Sequence, residues 1–176
     1  GALDPRRGLR FPPAQGGFML ASGGVIDDAA GTLEIVFTPG RAPAGPLVQA
    51  WGQYQPLIEL ASDTVTLNLY GRRFNNFVTF RPRTEYTLRF SWDHRIGFTL
   101  VLRAEGGPEQ VVRRRLAWNA FRQTFVPFSI GGMASEPRFR HWNGSFQGWV
   151  RSVKTWNAPM DLPGPVGLNE RGEAVA

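Results

Sequence analysis

Three stretches of this sequence set flat rings, amides and guanidinium groups side by side. Trp51-Gly52-Gln53-Tyr54-Gln55 places two aromatics among amides. Rings of that kind stack on sugar faces, and amides hydrogen-bond hydroxyls. Gly71-Arg72-Arg73-Phe74-Asn75-Asn76 sets arginines beside amides, and Arg138-Phe139-Arg140-His141-Trp142-Asn143-Gly144 holds a tryptophan with bases near it. An arginine fork grips a carboxylate, sulfate or phosphate through two hydrogen bonds. Trp51, Tyr54, Arg72, Arg73, Arg138, Arg140 and Trp142 are therefore the candidate ligand-binding residues. They suit an acidic glycan, provided that their loops converge at one rim. The plainer reading of each is a part-buried ring or a solvated loop charge.

Catalytic chemistry has less to work with. Retaining hydrolysis of a glycosidic bond needs two carboxyl groups about 5 Å apart on one face. The nearest approach is Glu59-Leu60-Ala61-Ser62-Asp63, and the run around Glu34 has no second carboxylate. His94 and His141 are the only histidines, and no arrangement of serine, histidine and acid is visible. The chain therefore reads as a non-enzyme. Asp27-Asp28, Asp63 and Asp93 fall in separate turns with no spacing that joins them into a metal site; aspartate favours turns in any case. Asn143-Gly144-Ser145 fits a glycosylation sequon but also makes a good turn.

Composition narrows the class. The 176 residues fit one domain with a substantial core. Cysteine is absent, which excludes a disulfide framework and a thiolate metal site. No apolar run approaches the roughly 18 residues that span a bilayer. The first residue is Gly1 rather than Met, so the chain reads as an excised or processed piece, which leaves open a targeting or anchoring segment outside it. Net charge is +6, and Lys154 is the only lysine among 20 basic residues. A codon bias toward arginine accounts for that in the simplest way. No nucleic-acid-binding module is recognisable.

Alternation with period two supplies the elements that must position these side chains. Leu33, Ile35 and Phe37 share one face; Val65, Leu67 and Leu69 share another; Tyr86, Leu88, Phe90 and Trp92 a third; Phe98, Leu100 and Leu102 a fourth. Turn signals fall between the runs, at Pro39-Gly40, Gly71, Asp93-His94-Arg95, Gly106-Gly107-Pro108 and Gly131-Gly132. The spacing predicts an all-β sandwich or barrel. Residues 98–103 and 110–115 form a predicted hairpin, whose second strand must turn at least one of Arg113, Arg114 and Arg115 to the opposite face. Leu33, Ile35, Phe37, Leu67, Leu88, Phe90, Leu100, Ile130 and Val150 are the expected core. The tail from Pro159 onward, rich in Pro, Gly and charge, reads as a surface wrap or linker.

The order of the pieces resembles the laminin-G-like domain of the concanavalin A-like lectin and glucanase superfamily. Gly8-Leu9-Arg10-Phe11 and Gly17-Phe18-Met19-Leu20 are similar to its opening strands. Residues 31–39 are similar to the strand that closes on proline, and Glu85 to Asp93 to the strand that ends in a Trp-Asp turn. Phe128-Ser129-Ile130-Gly131-Gly132 and Phe146-Gln147-Gly148-Trp149-Val150-Arg151-Ser152-Val153 complete the set. The resemblance covers residues 8 to 160, giving a domain at 1–160 and a tail or linker at 161–176.

It implies a two-sheet antiparallel jelly roll with little helix, glycan or protein ligands, and calcium as the cofactor of many members. The glucanase signature Glu-x-Asp-x-x-Glu is missing. In the family pattern Phe146, Val150 and Val153 face the core and Gly148 lets backbones approach. Because Val150 and Val153 break alternation, a β-bulge is expected near Arg151-Ser152. Trp149 and Trp156 read as packed rings, Trp142 as an exposed one. The functional expectation is a non-catalytic module that binds a glycan on an extracytoplasmic surface. The alternative is a protein-interaction or structural module of a larger bacterial envelope protein, such as a VanZ-like membrane protein.

Overall fold

Strands follow the alternating runs. The computed structural model describes residues 3–11, 18–20, 29–41, 44–50, 56–61, 64–69, 72–75, 78–118, 128–131, 146–162, 167–168 and 174–175, and every structural statement below concerns these. They hold fifteen strands and no helix: β1 (Leu3–Asp4), β2 (Gly8–Phe11), β3 (Phe18–Leu20), β4 (Ala30–Pro39), β5 (Ala44–Ala50), β6 (Pro56–Ala61), β7 (Thr64–Leu69), β8 (Arg72–Phe74), β9 (Tyr86–Asp93), β10 (Gly97–Ala104), β11 (Glu109–Arg115), β12 (Phe128–Ile130), β13 (Gly148–Trp156), β14 (Gly167–Leu168) and β15 (Ala174–Val175). One antiparallel sheet runs β1-β2-β13-β4-β9-β10-β11 and the other β3-β12-β5-β6-β7-β8, with β14-β15 a separate ribbon. This is the two-sheet all-β architecture that the alternation predicts.

Register explains which side chains meet between the sheets. Leu33 lies opposite Phe90 and Phe90 opposite Leu100, so one row crosses β4, β9 and β10 on the same side. Ile58 opposite Leu67 does the same in the second sheet. All nine expected core residues are buried and belong to one cluster drawn from both sheets. Such burial stabilises by about 1.5–3 kcal/mol per large apolar side chain.

The bulge falls where the spacing predicts it. Val150 pairs with Phe37 and Ser152 with Val36, which leaves Arg151 as the extra residue of β13. The hairpin of β10 and β11 also forms, with Phe98 opposite Arg114 and Leu100 opposite Val112. Arg114 therefore sits on the inner side, yet all three arginines are exposed, because β11 is the outermost described strand of its sheet.

Two devices close the sandwich. On β11, Gln110 clamps the Thr79 backbone: its Oε1 accepts from the Thr79 N–H at 2.9 Å and its Nε2 donates to the Thr79 carbonyl at 2.6 Å. Thr79 in turn bridges Thr64 of β7, so this amide joins the outer strand of one sheet to the other. Gln110→Ala is expected to lower stability by about 1–2 kcal/mol, as three hydrogen bonds to Thr79, two of them to its backbone, are lost. Urea denaturation checks it; a loss below about 0.5 kcal/mol would show the clamp to be incidental.

The second device is a strap. Residues 157–162 leave β13 and cross the outer side of the seven-stranded sheet. Thr32 Oγ1 donates to the Ala158 carbonyl at 2.9 Å, and Thr99 Oγ1 to the Asp161 carbonyl at 2.7 Å. Thr32, Ser91 and Thr99 are buried beneath it. Arg89 reaches the Asp161 carboxylate at 3.6 Å.

Candidate functional site

At the other end of that outer side, one residue type dominates. The turn before β2 is tied by Asp4, whose Oδ1 accepts from the N–H groups of Arg6 at 2.8 Å and Arg7 at 2.9 Å. The Arg7 and Arg6 backbone N–H groups hold the Asp4 carboxyl below the usual carboxylate range. The turn thereby projects Arg7. On β2, Arg10 pairs directly with Trp149 of β13, so the two side chains are neighbours. Both guanidinium carbons lie 5.9 Å from the centre of the Trp149 ring, within reach of a cation–π attraction.

Glycine makes this approach feasible. Gly148 has φ of 149°, and a Cβ there would run into the Thr38 carbonyl oxygen and meet the Phe146 ring at 2.8 Å. Gly40 N–H then donates to the Gln147 carbonyl at 2.7 Å, and the chain leaves β4 through Arg41.

A fourth arginine enters from the turn Arg81-Pro82-Arg83-Thr84. Arg83 has φ of 64°, a conformation that usually belongs to glycine or asparagine after a turn proline. For an arginine it costs on the order of 1 kcal/mol. Three hydrogen bonds fix the turn: Arg81 N–H to Tyr86 Oη at 2.7 Å, Arg83 N–H to the Pro39 carbonyl at 2.8 Å, and Thr84 N–H to the Arg81 carbonyl at 3.4 Å.

Arg7, Arg10, Arg41, Arg83, Gln147 and Trp149 line an open groove of about 680 Å³. Among the described residues, none of the four arginines has a carboxylate within 4.0 Å of its nitrogens. Glu85 and Glu105 border the groove as well, but Glu85 is 2.7 Å from Arg151 and so already neutralised. Two guanidinium groups held at one ring repel each other, and an anion between them would relieve that repulsion. The groove sets four guanidinium groups beside a flat ring.

Of the sequence-derived candidates, only Arg72 and Arg73 fall among the described residues. Arg73 is exposed on β8 of the other sheet, 3.4 Å from Glu59. Arg72 of β8 pairs with Leu69 of β7, and its side chain is outside the described residues. Trp51, Tyr54, Arg138, Arg140 and Trp142 also fall outside them, as do Asp27, Asp28 and Asp63. The six-stranded sheet turns Gln49, Thr66, Asn68 and Ser129 outward, but all four are buried and offer a ligand no access.

Asp93 serves its turn by accepting from the Arg95 N–H at 2.8 Å, and His94 Nδ1 lies 3.2 Å from the Ala29 carbonyl oxygen. No three His, Cys, Asp or Glu side chains among the described residues are grouped to hold a metal.

Two tryptophans differ from expectation. Trp149 and Trp156 are half-buried on the outer side, not packed in the core. Trp149 lies one residue from Val150, which points inward, so alternation sends its ring outward. Trp156 pairs with Thr32, an outward residue, because the bulge has reset the phase. Adjacency to Val150 in the sequence was the signal that could have exposed Trp149 as a site residue.

No family model matches the sequence, and no curated protein sequence does. Solved structures do match. A native heptameric pentraxin of Limulus polyphemus superposes with a TM-score of 0.60 at 12% identity, over 86% of this chain and 76% of that one. Domains LG4-5 of the mouse laminin alpha1 chain superpose at 0.55 with 17% identity, over 88% and 44%. The fold is that of the laminin G-like domains. A Trypanosoma rangeli sialidase, solved as a covalent intermediate with 2,3-difluorosialic acid, also shares it, at a TM-score of 0.61 and 17% identity. That match covers 88% of this chain but only 26% of the sialidase, about a quarter of the enzyme's length.

Proposed function

We propose that this laminin G-like domain is a non-catalytic module that binds an acidic glycan on an extracytoplasmic surface. The observation that carries the reading is the Trp149 ring flanked by Arg7 and Arg10, in a groove that also holds Arg41 and Arg83. A half-exposed ring stacks on the apolar face of a sugar, and arginine forks bind its acid groups. Inorganic anions would need the arginines but not the ring. Hydrolysis would call for a carboxylic acid poised to donate a proton, whereas Glu85 is committed to an ion pair with Arg151.

Titration calorimetry with heparin, polygalacturonate and neutral dextran tests the reading. Both acidic polymers are expected to bind and dextran not to. Trp149→Ala should weaken binding by about 1–3 kcal/mol, the scale for a stacked aromatic contact. Equal affinity for the Trp149→Ala variant at an unchanged melting temperature would refute the site. A protein ligand is the second reading, favoured by β11, an outermost strand with Val111 38% exposed beside Arg113 and Arg115. Binding that vanishes in Arg113→Gln/Arg115→Gln but survives Trp149→Ala would select it.

A further inference from the structure

We infer that the groove reads acid groups at two points along one glycan chain, and that Arg83 makes the second contact. The inference rests on the acidic-glycan reading above and adds a minimum ligand length and a residue that enforces it.

The strand order separates the arginines into two sets. Arg7 and Arg10 reach Trp149 from the β2 side. Beyond Trp149 comes β4, whose end carries Pro39 and leads to Arg41, and Arg83 is bonded to the Pro39 carbonyl. From β2 to the flank where Arg83 stands is two to three strand spacings, or about 10–14 Å. A sugar ring stacked on Trp149 with its acid group turned to Arg7 and Arg10 cannot present that same group to the Arg83 flank. A chain with a second acid group farther along can satisfy both sets. Glu105 borders the groove past Arg83 and disfavours anions there, which gives the basic stretch a limit.

The backbone of Arg83 supplies the independent argument. Pro82 followed by a left-handed residue is a turn in which glycine carries no strain. The three hydrogen bonds that hold this turn come from backbone N–H groups and the Tyr86 hydroxyl, none from the Arg83 side chain. Folding alone would be served better by glycine. The guanidinium at this place therefore answers to the groove, and the anchored turn holds it ready with little loss of entropy on binding.

The test compares a size-defined heparin disaccharide and octasaccharide on the intact chain, Arg83→Gly and Arg10→Gln, by calorimetry and thermal melting. The octasaccharide is expected to bind at least about tenfold more tightly than the disaccharide, as two linked contacts add avidity. Arg83→Gly should remove about that factor on the octasaccharide while its melting temperature stays level or rises. The control Arg95→Gln, which removes the same charge in the turn between β9 and β10 and outside the groove, should leave octasaccharide affinity unchanged.

Equal affinity for the two lengths overturns the inference. So does full octasaccharide affinity in Arg83→Gly while Arg10→Gln weakens it, a result that leaves the acidic-glycan reading standing. A lowered melting temperature in Arg83→Gly would assign the residue to folding and also overturn the inference. If neither Arg10→Gln nor Trp149→Ala alters binding, the reading itself fails and takes the inference with it.

Discussion

Replacing Phe90 by alanine is expected to destabilise the domain by about 3–5 kcal/mol, the range for truncating a buried aromatic. Phe90 is 1% exposed and stacks on Trp92 with ring centres 5.1 Å apart and planes inclined by 16°. Phe98 closes on it at 5.9 Å. Leu33 and Leu100 flank it on the neighbouring strands. Nothing around it is free to collapse, so most of the vacated volume should persist as a cavity. Urea denaturation followed by tryptophan fluorescence measures the change. A loss below about 1.5 kcal/mol would mean that the two sheets can close over the gap, against the packing described.

Gly148→Ala is expected to cost about 2–5 kcal/mol, from backbone strain at a positive φ together with overpacking. The new methyl would strike the Thr38 carbonyl, which cannot move without parting β4 from β13. Since Trp149 follows directly, binding in the groove should fall along with the melting temperature. A variant that melts within a degree or two of the parent would show that φ of 149° is not required there.

The sheets were legible in the sequence because burial on one side imposes alternation, and alternation can be read without knowing any partner strand. Leu33, Ile35 and Phe37 show their common face by spacing alone. The bulge at Arg151 was legible for the same reason, as a break in phase. The groove was not. Arg7, Arg10, Arg41, Arg83 and Trp149 come from four places in the chain and meet only through the pairing of β2, β13 and β4, which no single stretch encodes. Sequence reasoning weighted runs in which rings and bases are adjacent, such as Arg72-Arg73. There the structure pairs Arg73 with Glu59, both within the six-stranded sheet. The usual burial of tryptophan points to a packed Trp149, although its neighbour Val150 already takes the inward position.

The strap has a mechanical consequence. It meets β4 at Thr32, whereas the groove begins at Thr38, six residues along the same strand or about 20 Å away. Tension on the chain beyond Leu162 would enter the sheet through the hydroxyls of Thr32 and Thr99 and the Arg89–Asp161 pair. Those contacts would peel one after another at the far end, while the strands beneath Trp149 stayed in register. Groove and strap occupy opposite ends of one sheet, so each can yield without loosening the other.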